Sequence, residues 1–151
     1  MIAVIQRMKR ATVYADGVHS GTSGHGLYIL LGVGTSDSER DAELLAAKIK
    51  KLRIFSDENG KMNLSLMDVG GEVMIVSNFT LYANYAHGNR PDYLASARPE
   101  QAIPLYEYFI QLMKEDITSV STGKFGADMI TELVTDGPVT IVMDSAVLAK
   151  K

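Results

Sequence analysis

Val73, Met74, Ile75 and Val76 form an unbroken apolar run directly after the turn-forming pair Gly70-Gly71. Four consecutive apolar residues cannot alternate between core and water, so the run predicts a strand covered on both faces. The chemistry then changes within one residue. Ser77, Asn78 and Thr80 bring two hydroxyls and an amide to the end of that strand, with Phe79 among them. A rigid strand that ends in polar side chains and free backbone N–H groups can hold a polar ligand. The same Ser and Thr can also do no more than satisfy loop backbone. Ser77, Asn78, Phe79 and Thr80 are the first candidate catalytic residues.

Around this stretch the chain reads as one layered domain. Residues 2–14 alternate as a strand, with Ile2, Val4 and Gln6 on one side and Ala3, Ile5 and Arg7 on the other. Asp16-Gly17 predicts a hairpin turn into a returning strand over Val18 to Ser23. Gly24-His25-Gly26 interrupts it, and Leu27 to Val33 reads as a buried strand. Ser36 or Ser38 caps a helix whose apolar stripe is Ala42, Leu45, Ala46, Ile49 and Leu52. A short strand follows over Arg53 to Ser56, and a second short strand or an irregular segment over Lys61 to Met67, separated by the turn Asp57-Glu58-Asn59-Gly60. Leu81 to Ala97 has no periodicity, and a loop that long is expected to be functional or mobile. A second helix starts at Pro99-Glu100 and presents Ala102, Leu105, Tyr106, Phe109, Leu112 and Met113. Pro104 must lie in or near its first turn, or the helix is kinked there. Three more strands are expected, over Ile117 to Lys124, Met129 to Thr135 and Val139 to Met143. The breaks between them are Phe125-Gly126-Ala127-Asp128 and Asp136-Gly137-Pro138. Ala146 to Lys151 reads as a loosely held tail. Two helices among about eight strand-like runs argue for a single α/β or α+β domain.

Composition closes several routes. A chain of 151 residues is one domain by size, and 46% hydrophobic residues suffice for a core. It contains no cysteine, so disulfides, thiolate nucleophiles and Cys-based zinc sites are excluded. That suits the cytoplasm. The net charge of −3 does not suggest a nucleic-acid binder. Local basic clusters exist at Arg7, Lys9 and Arg10, and at Lys48, Lys50, Lys51 and Arg53, and either can be an ordinary solvated face. His19, His25 and His87 show no ligand spacing, and no metal or cofactor is expected. Neither a dinucleotide fingerprint nor a P-loop follows a strand. The opening residues do not read as a signal peptide, and no apolar run is long enough to cross a bilayer.

The second unusual stretch is Thr135-Asp136-Gly137-Pro138-Val139-Thr140. Alone it is a turn. Together with Ser77-Asn78-Phe79-Thr80-Leu81 it resembles the two signature motifs of the D-aminoacyl-tRNA deacylases, also known as D-tyrosyl-tRNA deacylases. The likeness extends from residue 1 to about 145. It includes Ala3-Val4-Ile5-Gln6-Arg7, Leu52-Arg53-Ile54-Phe55, Gly60-Lys61-Met62-Asn63, Gly88-Asn89-Arg90-Pro91 and Thr122-Gly123-Lys124-Phe125-Gly126-Ala127-Asp128-Met129.

The resemblance implies a compact α/β fold with a barrel-like sheet and two main helices, assembled as a homodimer. It implies hydrolysis of the ester joining a D-amino acid, or mischarged glycine, to the terminal adenosine of tRNA. By the same likeness Gly137-Pro138 is a cis dipeptide that reaches into the partner's pocket and excludes L side chains. Arg7 braces that motif, and Ala102, Phe125 and Met129 line the pocket. With tRNA as substrate, Lys48, Lys50, Lys51 and Arg90 become candidate phosphate contacts. Two departures stand out. Asn78 occupies a position where the family usually has Gln, and Thr135 one where it usually has Asn. Thr80 is the nucleophile by residue type, but no base stands in its motif, so a positioning role fits better. An RNA-binding domain without catalysis and a general threonine esterase are the rival readings.

Overall fold

The computed structural model describes residues 1–150. The chain builds, in order, strands β1 (Ile2–Ala15), β2 (Val18–Ser23) and β3 (Gly26–Gly32), then helix α1 (Glu39–Lys50). Strands β4 (Phe55–Ser56), β5 (Met62–Leu64) and β6 (Glu72–Ser77) follow. A 3-10 turn over Phe79–Tyr82 leads, through a long loop, to helix α2 (Pro99–Lys114). Strands β7 (Val120–Thr122) and β8 (Met129–Asp144) and a one-turn helix α3 (Ser145–Leu148) complete the described residues.

The main sheet runs β2-β1-β3-β6-β7, with β8 on the other edge of β1. It curls nearly into a barrel. Ser20 Oγ donates to the Thr122 carbonyl at 2.9 Å, and Ser121 Oγ to that of Thr22 at 3.1 Å, so β2 and β7 are stitched by side chains where no ladder joins them. The expected apolar run is the central β6, parallel to β3 on one side and to β7 on the other. Val73 and Ile75 face a core shared with both long helices, and Met74 and Val76 face the barrel interior. That double coverage is why the run cannot alternate.

β1 serves both cores. Ala3 and Ile5 belong to the helix-covered core, whereas Met8, Ala11 and Val13 belong to the barrel interior. Strict alternation cannot do this. Met8 pairs with Thr135 and Arg10 with Val134, so Lys9 is an extra residue on β1. Such a bulge turns the following side chains to the other face.

Two expectations are corrected. β8 is one strand, not two separated by a break at Asp136-Gly137-Pro138. Gln6 pairs with Thr140 and Met8 with Thr135, so Arg7 alone faces the four residues from Asp136 to Val139. The ladder tolerates the excursion because pairing resumes beyond it in a shifted register. Ser145–Leu148 is helical rather than a loose tail, capped by Asp144, whose carboxylate accepts from Ala146 N–H at 2.9 Å. Lys151 lies outside the described residues. Pro104 sits in the second turn of α2, on its exposed side.

Ser145 explains why the C-terminal segment is ordered. It is fully buried, accepts from the Met1 amino group at 2.7 Å and donates to Asp41 Oδ1 at 2.7 Å. Burial alone would raise the Asp41 carboxyl. Hydrogen bonds from Ser145 and Ser38 outweigh it, and the net shift is downward. A lowered carboxylate contributes stability that is complete above its unfolded pKa, about 3.9, and is lost as pH falls through the lower folded value. Ser145→Ala is therefore expected to lower the urea midpoint at pH 7 and to flatten its decline below pH 4. An unchanged acid limb would rule out this account.

Candidate active site

The end of β6 opens on a cavity of about 360 Å3. That lies in the lower range for sites that enclose a small organic ligand. Its walls come from five parts of the chain. β3 gives Tyr28, Leu30 and Leu31, β6 gives Val76 and Ser77, the loop before α2 gives Ser96 and Ala97, and α2 gives Ala102 and Tyr106. Phe125, Gly126, Ala127, Met129 and Thr131 close the far side. The lining is mostly apolar, with a few fixed polar groups. Tyr28 and Thr131 share a hydrogen bond of 3.1 Å between their hydroxyls, and Tyr106 Oη donates to the Ile75 carbonyl at 3.1 Å. Burial pushes the Tyr106 phenol up, so it stays protonated and fixed.

Asn78 and Phe79 stand at the mouth. The turn that carries them can lie close to β3 because Gly34 has no side chain. A Cβ there would fall 2.7 Å from the Tyr82 ring. Tyr82 Oη donates to Asp37 Oδ2 at 3.1 Å, and Asp37 Oδ1 pairs with the Met1 ammonium at 2.6 Å. The end of the turn is thereby anchored in a buried charge network.

Asn78 caps the turn. Its Oδ1 accepts from Thr80 N–H at 3.2 Å and from the Thr80 hydroxyl at 2.5 Å. Asn78 N–H itself donates to the Leu31 carbonyl at 2.9 Å. Thr80 N–H, expected to be free for a ligand, is thus occupied, whereas Phe79 N–H has no acceptor among the described residues. The short amide is the cause: Asn, unlike the longer Gln, reaches back to the backbone two residues on. Among the described residues no histidine, lysine or carboxylate hydrogen-bonds the Thr80 hydroxyl.

The structure brings Ala102, Phe125 and Met129 together with Ser77, Asn78 and Phe79 around one cavity. Gly137 and Pro138 do not line it. Their peptide bond is cis, and both residues are exposed. Arg7 contacts the residue before them. Its Nε donates to the Asp136 carbonyl at 3.2 Å and its Nη1 to the Ile54 carbonyl at 2.6 Å, and it pairs with the Asp136 carboxylate.

Lys50 is a correction. It is buried, and its ammonium is held by the Leu112 carbonyl at 2.9 Å and the Asp116 carboxylate at 2.5 Å, so it is not available to a phosphate. Lys48, Lys51 and Arg90 are exposed, and none lines the cavity. Tyr28, Tyr106 and Thr131 were not singled out from sequence as site residues. Tyr106 reads as part of the core stripe of α2, and only the missing neighbour across the cavity distinguishes it.

An α/β barrel with an apolar cavity at the end of its central strand, rimmed by an amide, hydroxyls and a free N–H, is the build of a ligand-enclosing hydrolase scaffold. The family model described as D-Tyr-tRNA(Tyr) deacylase matches residues 4–144, and the chain belongs to that family. It is similar to a protein of Cytophaga hutchinsonii named D-aminoacyl-tRNA deacylase, 54% identical over 147 residues, 96% of this chain and 97% of the other. A Thermosipho africanus protein of the same name is 53% identical over 145 residues, again 96% and 97%. A solved structure titled c-Myc DNA unwinding element binding protein matches with a TM-score of 0.90 at 37% identity, covering 95% of this chain and 98% of that one. Another, titled as a probable eukaryotic D-amino acid tRNA deacylase, has a TM-score of 0.83 at 13% identity and shares the fold.

Proposed function

We propose that this chain hydrolyses the ester between a D-amino acid, or glycine, and the terminal adenosine of tRNA, and that it spares L-aminoacyl esters. The observation that carries the proposal is the cavity at the end of β6, lined by Ser77, Asn78 and Phe79 of the motif. The near-complete match to proteins named D-aminoacyl-tRNA deacylase supports the substrate class.

The reaction is acyl transfer to water. Water attacks the ester carbonyl, the bond to the ribose oxygen breaks, and that oxygen leaves with a proton. Phe79 N–H is the donor available to the developing oxyanion. The Thr80 hydroxyl is already donating to Asn78 and has no base, so Thr80 positions Asn78 rather than attacking. The neighbouring ribose hydroxyl of the substrate then assists the water.

Chirality is read by exclusion. In the proposed homodimer, Gly137-Pro138 of one copy enters the mouth of the other copy's cavity, and its carbonyl groups leave no room for an L side chain. Two features favour that assembly. β8 has a ladder on one edge only, and its outer face exposes Ile130, Val134 and Val142. An unpaired, partly apolar strand edge is a surface that normally requires a partner.

The test is release of labelled D-tyrosine, L-tyrosine and glycine from their charged tRNAs. Turnover of the D and glycyl substrates with the L substrate spared is expected. Asn78→Gln should be faster by about tenfold or more, because a longer amide no longer caps the turn and frees Thr80 N–H as a second oxyanion donor. Thr80→Ala should retain activity. Retention of tRNA without release of any amino acid would favour a binding domain instead.

A further inference from the structure

Phe79 belongs to two surfaces. One part of it lines the cavity, yet the residue is 57% exposed. Tyr93 packs against it edge-on, with ring centroids 5.0 Å apart. In the loop that carries Tyr93, Tyr85 is 81% exposed and Leu94 85% exposed, and neither belongs to either hydrophobic core. The mouth therefore has a rim of two packed aromatic rings, carried on one side by a loop with two further large side chains that folding does not use.

The rim is held in place. Asn84 and Asp92 exchange backbone hydrogen bonds of 2.8 and 2.9 Å, and their side chains share a third of 2.9 Å. Thr35 N–H donates to the Ala95 carbonyl at 3.0 Å and Ala97 N–H to that of Val33 at 2.9 Å, which fastens the far end of the loop beside β3. Residues 84–98 carry Arg90 and Arg98, both exposed, against the single carboxylate Asp92. This is a locally basic segment of an acidic chain, and Asp92 is already engaged by Asn84.

We infer that this rim is the stacking surface for the unpaired nucleotides that precede the terminal nucleoside of the substrate RNA, an inference that rests on the proposed function. A cavity of this size takes an aminoacyl group and part of one nucleoside, so a polynucleotide must leave across its mouth. Phe79 is at that mouth with Tyr93 packed against it, and Tyr85 and Leu94 stand exposed in the loop that carries Tyr93. Unpaired bases bind exposed aromatic rings by stacking, with little regard to sequence. Arginines beside such rings bind the phosphates between the bases. The combination suits a single-stranded 3′ end shared by many RNAs; a second copy of this chain, whose Gly137-Pro138 enters the same mouth in the proposed dimer, is the alternative occupant.

The experiment compares three esters of one D-amino acid, on adenosine, on a single-stranded trinucleotide ending in adenosine, and on tRNA. It uses the wild-type chain and a Tyr85→Ser, Leu94→Ser double variant. Both positions are over 80% exposed, so the urea midpoint should hold and fold is not the issue. For the trinucleotide and tRNA esters KM is expected to rise about tenfold with kcat unchanged, while the adenosine ester is turned over as before. An equal loss on all three esters, or no loss on any, would overturn the stacking surface while the wild-type turnover kept the proposed function. A change of molecular mass in the double variant would instead assign the rim to contact between copies. Failure of the wild type on every ester would end both proposals.

Discussion

Arg7→Met is expected to leave a folded protein that no longer discriminates well between D and L esters. Arg7 is the one residue of β1 opposite the four-residue excursion of β8, and its side chain is only 11% exposed. It reaches in two directions, to the Asp136 carbonyl and carboxylate on one side and to the Ile54 carbonyl on the other. Methionine keeps the volume of the stem and removes every donor. A hydrogen bond from a charged group contributes about 1.5–3 kcal/mol, and water can replace part of it on the more exposed Asp136 side, so a loss of about 2–3 kcal/mol is expected. The larger effect is on function. A displacement of the excursion by about 1 Å is enough to change a rate by about 10²-fold. Under the proposed exclusion mechanism the D rate falls and L esters begin to turn over. Arg7→Lys should behave almost as badly, since a single ammonium does not reproduce a fork that spans two carbonyls. The measurement is kcat/KM on paired D and L substrates beside a urea curve. Lower stability with L rejection intact would make Arg7 a structural residue only.

Gly26→Ala is expected to destroy the fold. Gly26 pairs with Glu72 at the first rung of the parallel β3–β6 ladder. A Cβ at Gly26 would fall 1.8 Å from the Glu72 carbonyl oxygen and 2.6 Å from its nitrogen. Both obstacles are backbone, and neither can rotate away. The ladder would have to open from that rung, and β6 with the Ser77 motif would lose its position. Destabilisation beyond about 4 kcal/mol is expected, a large part of the roughly 5–15 kcal/mol that holds a domain folded. Gly24→Ala provides the control, since its Cβ would meet the Glu72 carboxyl at 3.5 Å, an ordinary contact. Thermal or urea unfolding should separate the two variants clearly. A cooperative transition for Gly26→Ala near the wild-type midpoint would mean that the two strands can part at this rung without cost.

Much of the fold was legible because its signals are local. Asp16-Gly17 set the first hairpin, Ser38 the start of α1, and the Val73–Val76 run the central strand. The failures have one common cause, which is that side chains and ladders can act across the fold. Gly137-Pro138 reads as a break, but β1 runs past it and supplies partners on both sides. Ala146 onward reads as a tail, but Ser145 is buried between Met1 and Asp41, over a hundred residues away in sequence. Lys50 reads as one of a basic cluster, but the apolar stripe around Ile49 turns it toward Asp116. At the candidate site, the motif residues and Ala102, Phe125 and Met129 could be named from sequence, but the state of their hydrogen bonds could not. That Asn78 uses both Thr80 donors depends on one methylene and on the geometry of the turn.

β8 carries Met129 and Thr131 into the wall of its own cavity and, six residues further along, presents Gly137-Pro138 outward. In the proposed dimer a single strand would then report on two substrates. A bound ligand that shifts the start of β8 would move the gate of the opposite site. Cooperativity between two catalytic centres would need no separate effector site and no hinge, only the stiffness of one continuous ladder.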